Sequence, residues 1–573
     1  MNLTLTLSFA LLSIPPILEL FLRFDSVHDG LMLSSVRLTR ESIIHGGEWP
    51  FNQYGQFWVF PYTFLTIWVP ANFLLLSLRI IALGCYILTA RLIWKLINPF
   101  TNRSTVIFSL LLLLASQPFY TAWGLIPWPS AISMPLVMGV MVILAKPLSS
   151  ISYNLKKESY SYFFAGVLVT MIASTRIQIG LLALIASTYF IFLSRGIRQV
   201  LNFLIGVISS TGALCLLLAQ LGWLHQALFD QFVFGSQYVK SNAIEGYSST
   251  PVFTLLGSIA VILTYKFGRK ALTKLKARFS TRFVLINLAA LGLISYLIFT
   301  YVLYRRQPSI LFSLTIISGR FWVSLLLGSI IFSLMEQVFR SIHAIKNNEF
   351  SDTRLQQRNL LLGFSIVAQA QSWPLFDASH TWWGSAPGVL LVAVLITERF
   401  GLPLHSIKVV DHLKVSFLTL LLILTLGLDL LYFAHSDQRF FKNINFITLR
   451  ADSKTVANVE SLQDFFTKHL KKGSKVLNLC STPDVFLRDD FVAPASRIFF
   501  YWPSFQELPS YMNSISNSKP DSILYCATSE SGEISGDILK ILNNVAPKRK
   551  LIADWISPSA QNWKIWDSNL NGT

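Results

Sequence analysis

Leu20-Phe21-Leu22-Arg23-Phe24-Asp25-Ser26-Val27-His28-Asp29-Gly30 is where this chain passes from hydrocarbon chemistry to ionic chemistry. A bilayer core takes about 20 mostly apolar residues per helix. Residues 3–22 meet that requirement and read as a first membrane span. Beyond it, two carboxylates and a histidine crowd into residues 25–29, and ionisable groups gathered at the end of a span are seldom idle. The stretch before Arg23 has no basic n-region and no small-residue cleavage site, so it is expected to be a retained span rather than a signal peptide.

The rest of the chain repeats the apolar theme. With 53% hydrophobic and only 13% charged residues and a mean hydropathy of +0.53, it is too apolar for a soluble globule. Further apolar stretches at 72–97, 105–121, 131–145, 160–175, 177–194, 200–222, 251–265, 283–304, 321–338, 359–371, 387–398 and 414–434 bring the expected total to thirteen spans. The fold class is therefore an α-helical polytopic membrane protein of about 13 transmembrane helices, with a C-terminal extracytoplasmic α/β domain.

The net charge of +18 sorts by loop. With the N-terminus cytoplasmic, 22 Lys and Arg fall at inner ends and loops, the densest run being Lys266 to Arg282, against eight in outer loops. That asymmetry is the positive-inside pattern, and it leaves no basic face for nucleic acid. An odd number of spans puts the tail outside, and the lack of retention signals points to a plasma (inner) membrane. The membrane part is expected over 1–434, with a long first outer loop at 23–71, and the outer domain over 435–573. In that tail Val456, Val459, Leu462, Phe465 and Phe466 recur at helical spacing, while Lys475 to Cys480 and Ser522 to Cys526 read as buried strands. Cys480 and Cys526 each end one of those strands, as a disulfide or as two buried thiols; Cys85 and Cys215 read as apolar fillers within spans.

This topology sends the unusual polar residues to one side. Asp25, His28, Asp29 and Glu48 fall in the first outer loop, Asp230, Lys240 and Glu245 in a later one, then Arg305, Arg306 and Arg320, then Asp377 with His380. The first loop also carries Gly46 to Gln56 and an aromatic run from Phe57 to Tyr62, suited to the lipid–water interface. No Walker loop, GxGxxG or zinc-type Cys/His spacing is present, which argues against a nucleotide-driven pump.

A single span, then His28-Asp29-Gly30, then Gly47-x-x-Pro50-Phe51-x-x-Tyr54-Gly55, resembles the bacterial GT-C superfamily of integral-membrane glycosyltransferases. Two further stretches are similar to elements of that superfamily: Gln371 to Trp383, with its Asp377-x-x-His380, and Cys480 to Phe500 in the tail. The resemblance implies a sugar donor carried on polyprenyl phosphate, a glycan, lipid or protein acceptor on the outer face, and a first-loop Asp as catalytic base. Many members carry adjacent acids at this point, whereas here Asp25 and Asp29 stand four apart, so both are candidates.

Transfer from a lipid phosphate needs a carboxylate to take the acceptor's proton and cations to receive charge on the leaving phosphate. Asp29, beside a glycine turn and next to His28, is the favoured base on chemistry, with Asp25 the alternative and a turn or N-cap before a 31–44 helix the structural one. Arg305 and Arg306 suit a phosphate or snorkel to headgroups, and Arg320 and Arg176 are weaker versions of the same idea. Tyr54, Asp377, His380 and Trp383 complete the expected substrate-binding set. The reaction requires no cofactor. A divalent cation is an option, since three Asp and two His on one face have the donor chemistry for it, although the first loop lacks dedicated ligand spacing. Two other classes stay open: a transporter or flippase of lipid-linked sugars, which calls for ionisable pairs near mid-membrane, and a non-catalytic envelope assembly protein docking through its tail.

Overall fold

The computed structural model describes residues 16–21, 28–46, 56–100, 125–146, 155–234, 254–267, 322–340, 353–372, 378–399, 450–471, 473–479, 519–527, 546–557 and 562–568, with short stretches and single positions between them. The spans expected at 283–304 and 414–434 lie outside this set.

Helix α1 spans His28–His45, and α2 (Val59–Thr66) follows a short 3-10 turn. Next comes α3 (Ala71–Phe100), about 45 Å long at 1.5 Å per residue. Helix α4 (Pro129–Ala145) opens with proline at its first position, where the missing N–H costs nothing. It is apolar all round and buried on nearly every face, packed by α3 on one side and by α5 (Leu155–Ala173) on another. A helix buried so completely is the hub of its bundle.

Helix α6 (Ile177–Arg195) ends at Gly196, whose φ of 78° closes the helix through its N–H to the Phe192 carbonyl at 3.0 Å. The chain then reverses into α7 (Ile197–Gln220), which lies against α5. Gly166 and Gly206 are the reason these helices approach so closely. A Cβ at Gly166 would lie 2.2 Å from the Phe203 carbonyl oxygen, and one at Gly206 would lie 2.1 Å from that of Phe163.

After α8 (Leu224–Leu228) come α9 (Thr254–Phe267) and α10 (Trp322–Arg340), linked by Tyr265 and Ser329 hydroxyls 3.0 Å apart. Helix α11 (Thr353–Gln369) then leads through a 3-10 turn at Ala370–Ser372 to α12 (Ala378–Trp383) and α13 (Ser385–Arg399).

Among the described residues, Asn72–Leu96, Ile177–Arg195, Ile197–Gln220 and Trp322–Arg340 are long and apolar enough to cross a membrane. Their outward faces agree with that solvent: Ile185, Tyr189, Ile205, Ile208 and Leu216 are exposed apolar side chains that water would not favour. By helix length and composition the chain is a membrane protein.

Several helices begin earlier than hydropathy predicts. Helix α5 starts five residues before position 160 because Glu158 pairs with Arg195 at 2.9 Å and accepts from the Tyr162 hydroxyl at 3.3 Å, which lets a polar turn remain helical. Helix α1 starts at His28 rather than 31, so it takes in Asp29 and Gly30.

Toward the C-terminus a helix α14 (Ser453–His469) packs on a small sheet, after an antiparallel pair of β1 (Gln438–Phe440) and β2 (Arg450–Asp452). The five-stranded sheet comprises β3 (Ser474–Asn478), β4 (Val492–Pro494), β5 (Ser522–Ala527), β6 (Lys550–Ile556) and β7 (Asn562–Asp567), in the order β4-β3-β5-β7-β6. Strand β3 runs parallel to β4 and β5, whereas β7 is antiparallel to both its neighbours. Phe465 stacks on Trp555 at 5.2 Å and Phe466 meets Trp563 edge-on at 5.7 Å, joining helix to sheet. Cys526 is a free thiol, as are Cys85 and Cys215, and Cys480 lies outside the described residues.

Candidate functional site

The first turn of α1 carries Asp29, fully buried. Placing a carboxylate there is favoured by the helix dipole, which presents partial positive charge at its start. A full positive charge meets it as well. Arg79 of α3, 2% exposed, donates from Nη2 to Asp29 Oδ2 at 2.7 Å and from Nη1 to the Glu19 backbone carbonyl at 2.8 Å. One guanidinium therefore joins the backbone at Glu19, the start of α1 and the body of α3. Arg79 stands eight residues into its helix, about 12 Å from the helix start.

Arg79 shares a face of α3 with Leu75, Ala82 and Tyr86, at helical spacing, and all are buried. The Tyr86 ring lies 4.9 Å from that of Trp382 in α12, while Trp383 stacks on Trp128 at 5.4 Å. Trp382 also donates from Nε1 to the Leu113 carbonyl at 3.3 Å. Beside this aromatic group Tyr62 of α2 is completely buried. Burial, with the Cys85 thiol and Tyr86 nearby, pushes its hydroxyl well above its usual range, so at neutral pH it stays a neutral donor.

Four segments far apart in sequence are tied together nearby. The Phe57 N–H, in the turn before α2, bonds the Ser174 carbonyl between α5 and α6 at 2.9 Å. Two residues on, buried Arg176 donates from Nη1 to the Gln371 carbonyl at 3.4 Å. Gln231, just after α8, donates to the Ala173 carbonyl at 2.8 Å. Parts of the first loop, the α5–α6 turn and the turn after α11 thus meet.

Of the residues singled out from sequence, Asp29, Arg176 and Trp383 have described positions, all buried. Asp29 is engaged by Arg79, Arg176 by a backbone carbonyl and Trp383 by an indole. His28 and His380 lie in the first turn of α1 and within α12, with their side chains outside the described residues. Asp25, Tyr54, Asp377, Arg305, Arg306 and Arg320 lie outside them too. Among the described residues no three His, Cys, Asp or Glu converge as a cation site, and Arg79 brings a positive charge to Asp29. That guanidinium engages Asp29 Oδ2.

Sequence reading passed over Arg79 and Glu19. Both are ionisable residues inside apolar stretches, at 72–97 and 3–22, and that is the signal that would have found them.

No family model matches this chain, and no curated protein does. Solved structures do align with it. The apo form of the Archaeoglobus fulgidus oligosaccharyltransferase covers 96% of this chain and 69% of its own, at 11% identity and a TM-score of 0.47. The same organism's enzyme with an inhibitory peptide and a dolichol-phosphate covers 90% and 69%, at 11% identity and a TM-score of 0.44. Tethered to an acceptor peptide containing the NVT sequon, it covers 94% and 70%, at 10% identity and a TM-score of 0.45. These neighbours are oligosaccharyltransferases. At such scores the likeness carries nothing about the activity of this chain, which has to be read from its own residues.

Proposed function

We propose that the chain is a membrane glycosyltransferase of GT-C type, moving a sugar from a polyprenyl-phosphate donor to an acceptor on the outer face of the plasma membrane. The observation that carries this reading is the buried Arg79–Asp29 pair, which ties the start of α1 to α3. A buried charge pair of this kind within a membrane protein marks a working site more readily than a packing contact. The donor's sugar and the acceptor, whether glycan, lipid or protein, follow the resemblance set out above.

The reaction is written as a direct displacement with inversion. A first-loop carboxylate takes the acceptor hydroxyl's proton as its oxygen attacks the anomeric carbon, and the bond to the phosphate oxygen breaks as polyprenyl phosphate leaves. Asp29 is sealed from solvent and engaged by a guanidinium, a poor setting for receiving a proton from an incoming hydroxyl. We therefore assign the base to Asp25 and the anchor to Asp29. Arg305 and Arg306, with Arg320, supply the positive charge the departing phosphate calls for. Residues 1–434 are the membrane part and 435–573 the outer α/β unit in this reading. The buried pair inside an apolar helix also suits the second reading, a flippase of lipid-linked sugars.

Purified protein incubated with radiolabelled polyprenyl-phosphate sugars separates the two. Transfer or release of sugar by the wild type, falling by about 10²- to 10⁴-fold in Asp25→Asn with donor binding kept, supports the enzyme and its base. Full activity in Asp25→Asn together with its loss in a folded Asp29→Asn returns the base to Asp29. Intact donor moved across vesicles, with no sugar released, establishes the flippase.

A further inference from the structure

We infer that one end of the C-terminal sheet is a docking face for an anionic phospholipid surface, made of lysines from three separate segments and the exposed apolar start of β6. The inference goes beyond the glycosyltransferase reading and stands without it. Strand register sets the place. Val476 pairs with Ser522, Ser522 with Asp567 and Asp567 with Lys550, so β3, β5 and β6 begin, and β7 ends, along one row. Lys471 and Lys475 arrive there around the start of β3, Lys519 just before β5, and Lys548 with Lys550 at the start of β6, all of them exposed. Lys519 holds a φ of 43°, a left-handed backbone that glycine adopts with less strain, so a cation stands where the turn itself would favour a smaller residue. The register also brings in Asp521, whose Oδ2 accepts the Lys475 N–H at 2.8 Å, and Asp567, which stands opposite Lys550. Arg549 is taken up within the domain, donating to Asn543 Oδ1 at 3.1 Å. The lysines outnumber these acids, and this end of the sheet is positive.

Apolar surface adjoins the charge. Leu551 and Ile552 follow Lys550 directly and are 46% and 44% exposed, Ile552 being the extra residue of a bulge in the β6–β7 pairing. Strand β6 is an edge of the sheet among the described residues. Lysines and a bulge on an edge strand commonly serve to repel other strands, but that device does not set two large aliphatic side chains in the open beside them. A soluble polyanion would use the lysines and leave Leu551 and Ile552 in water. A phospholipid surface uses both, because ammonium groups reach headgroup phosphates on long stems while aliphatic side chains enter the acyl boundary. The chain brings such a surface with it, since helices long and apolar enough to cross a membrane precede the sheet.

The test places the full-length protein, with native thiols replaced, in nanodiscs of phosphatidylcholine alone or mixed with phosphatidylglycerol. A spin label reports collisions with oxygen, which partitions into lipid, and with a nickel chelate, which stays in water. On Ile552→Cys, nickel collisions are expected to be lost and oxygen collisions to rise only where phosphatidylglycerol is present. Ile556→Cys, 55% exposed and about 13 Å further along the strand, should keep its nickel collisions in both discs. Lys548→Glu with Lys550→Glu should return the label at position 552 to water, and raised salt should do the same by screening. Nickel collisions at position 552 that are equal in the two discs overturn the proposal. So does shielding that persists in phosphatidylcholine alone and survives the lysine reversal, which would mean that protein covers the edge; spin–spin broadening that fades on dilution with unlabelled protein would make that cover a second copy. Shielding in neutral discs by added inorganic polyphosphate, as complete as that by phosphatidylglycerol, would assign the face to a soluble anion and overturn the lipid as its partner. Should the charge-reversed variant fail to fold, the salt titration decides between the same outcomes without it.

Discussion

At the scale of single residues, the Asp29–Arg79 pair sets the energetics of the site. Breaking a buried ion pair by removing one partner strands a charge and costs about 3–5 kcal/mol, whereas replacing both by apolar groups of similar size is often neutral. Asp29→Leu alone is therefore expected to lower the thermal midpoint of the detergent-solubilised protein markedly, and Asp29→Leu with Arg79→Met to restore most of it. Sugar transfer should stay low in both, because the double variant mends packing and not the polar link between α1 and α3. A double variant as active as the wild type would remove the pair from the functional account. Asp29 stands out in the sequence as a carboxylate beside a glycine and Arg79 as a charge inside an apolar stretch, but that the two pair across fifty residues leaves no local pattern.

At the scale of elements, the α5–α7 contact depends on two glycines facing each other's backbone. Gly206→Leu would drive a side chain into Phe163, whose carbonyl oxygen lies 2.1 Å from even a first carbon. The expected cost is about 1–3 kcal/mol or more, read as earlier unfolding in a denaturing-detergent titration. Gly212, on the same helix with open space around it, should tolerate alanine with no such change, and equal losses at both positions would show that helix propensity rather than contact is being measured. Elements themselves were largely legible: α3, α6, α7 and α10 follow from apolar length, and α14 from the spacing of Val456, Val459, Leu462 and Phe466. Their ends were less so. The polar first turn of α5 is helical because Glu158 finds Arg195 on the next helix, a partner that hydropathy does not see.

At the scale of the whole molecule, the excess of Lys and Arg in alternate loops predicts an orientation that the fold alone does not carry. With native thiols replaced, Lys274→Cys should react with a membrane-impermeant maleimide only after cells are opened, and Ser559→Cys in intact cells. Labelling of Lys274→Cys from outside would reverse the orientation and place the acidic loop in the cytoplasm, away from an extracytoplasmic acceptor. The packing of the described bundle agrees with a bilayer solvent: α4 is enclosed, while α7 keeps Ile205, Ile208 and Leu216 outward.

The sequence by itself determined the solvent, the helical class, the strands β3 and β5 with their helix, and the place along the chain where ionisable chemistry gathers. Apolar length and short-range periodicity encode those features locally, and local patterns survive in one dimension. Only the tertiary structure decided what Asp29 does, because its state depends on a guanidinium from α3 and a burial that neither segment has alone. The same holds for the meeting of Phe57 with Ser174 and of Arg176 with Gln371. Such contacts arise when distant helices pack, and what a buried charge faces is fixed by packing rather than by its neighbours in sequence.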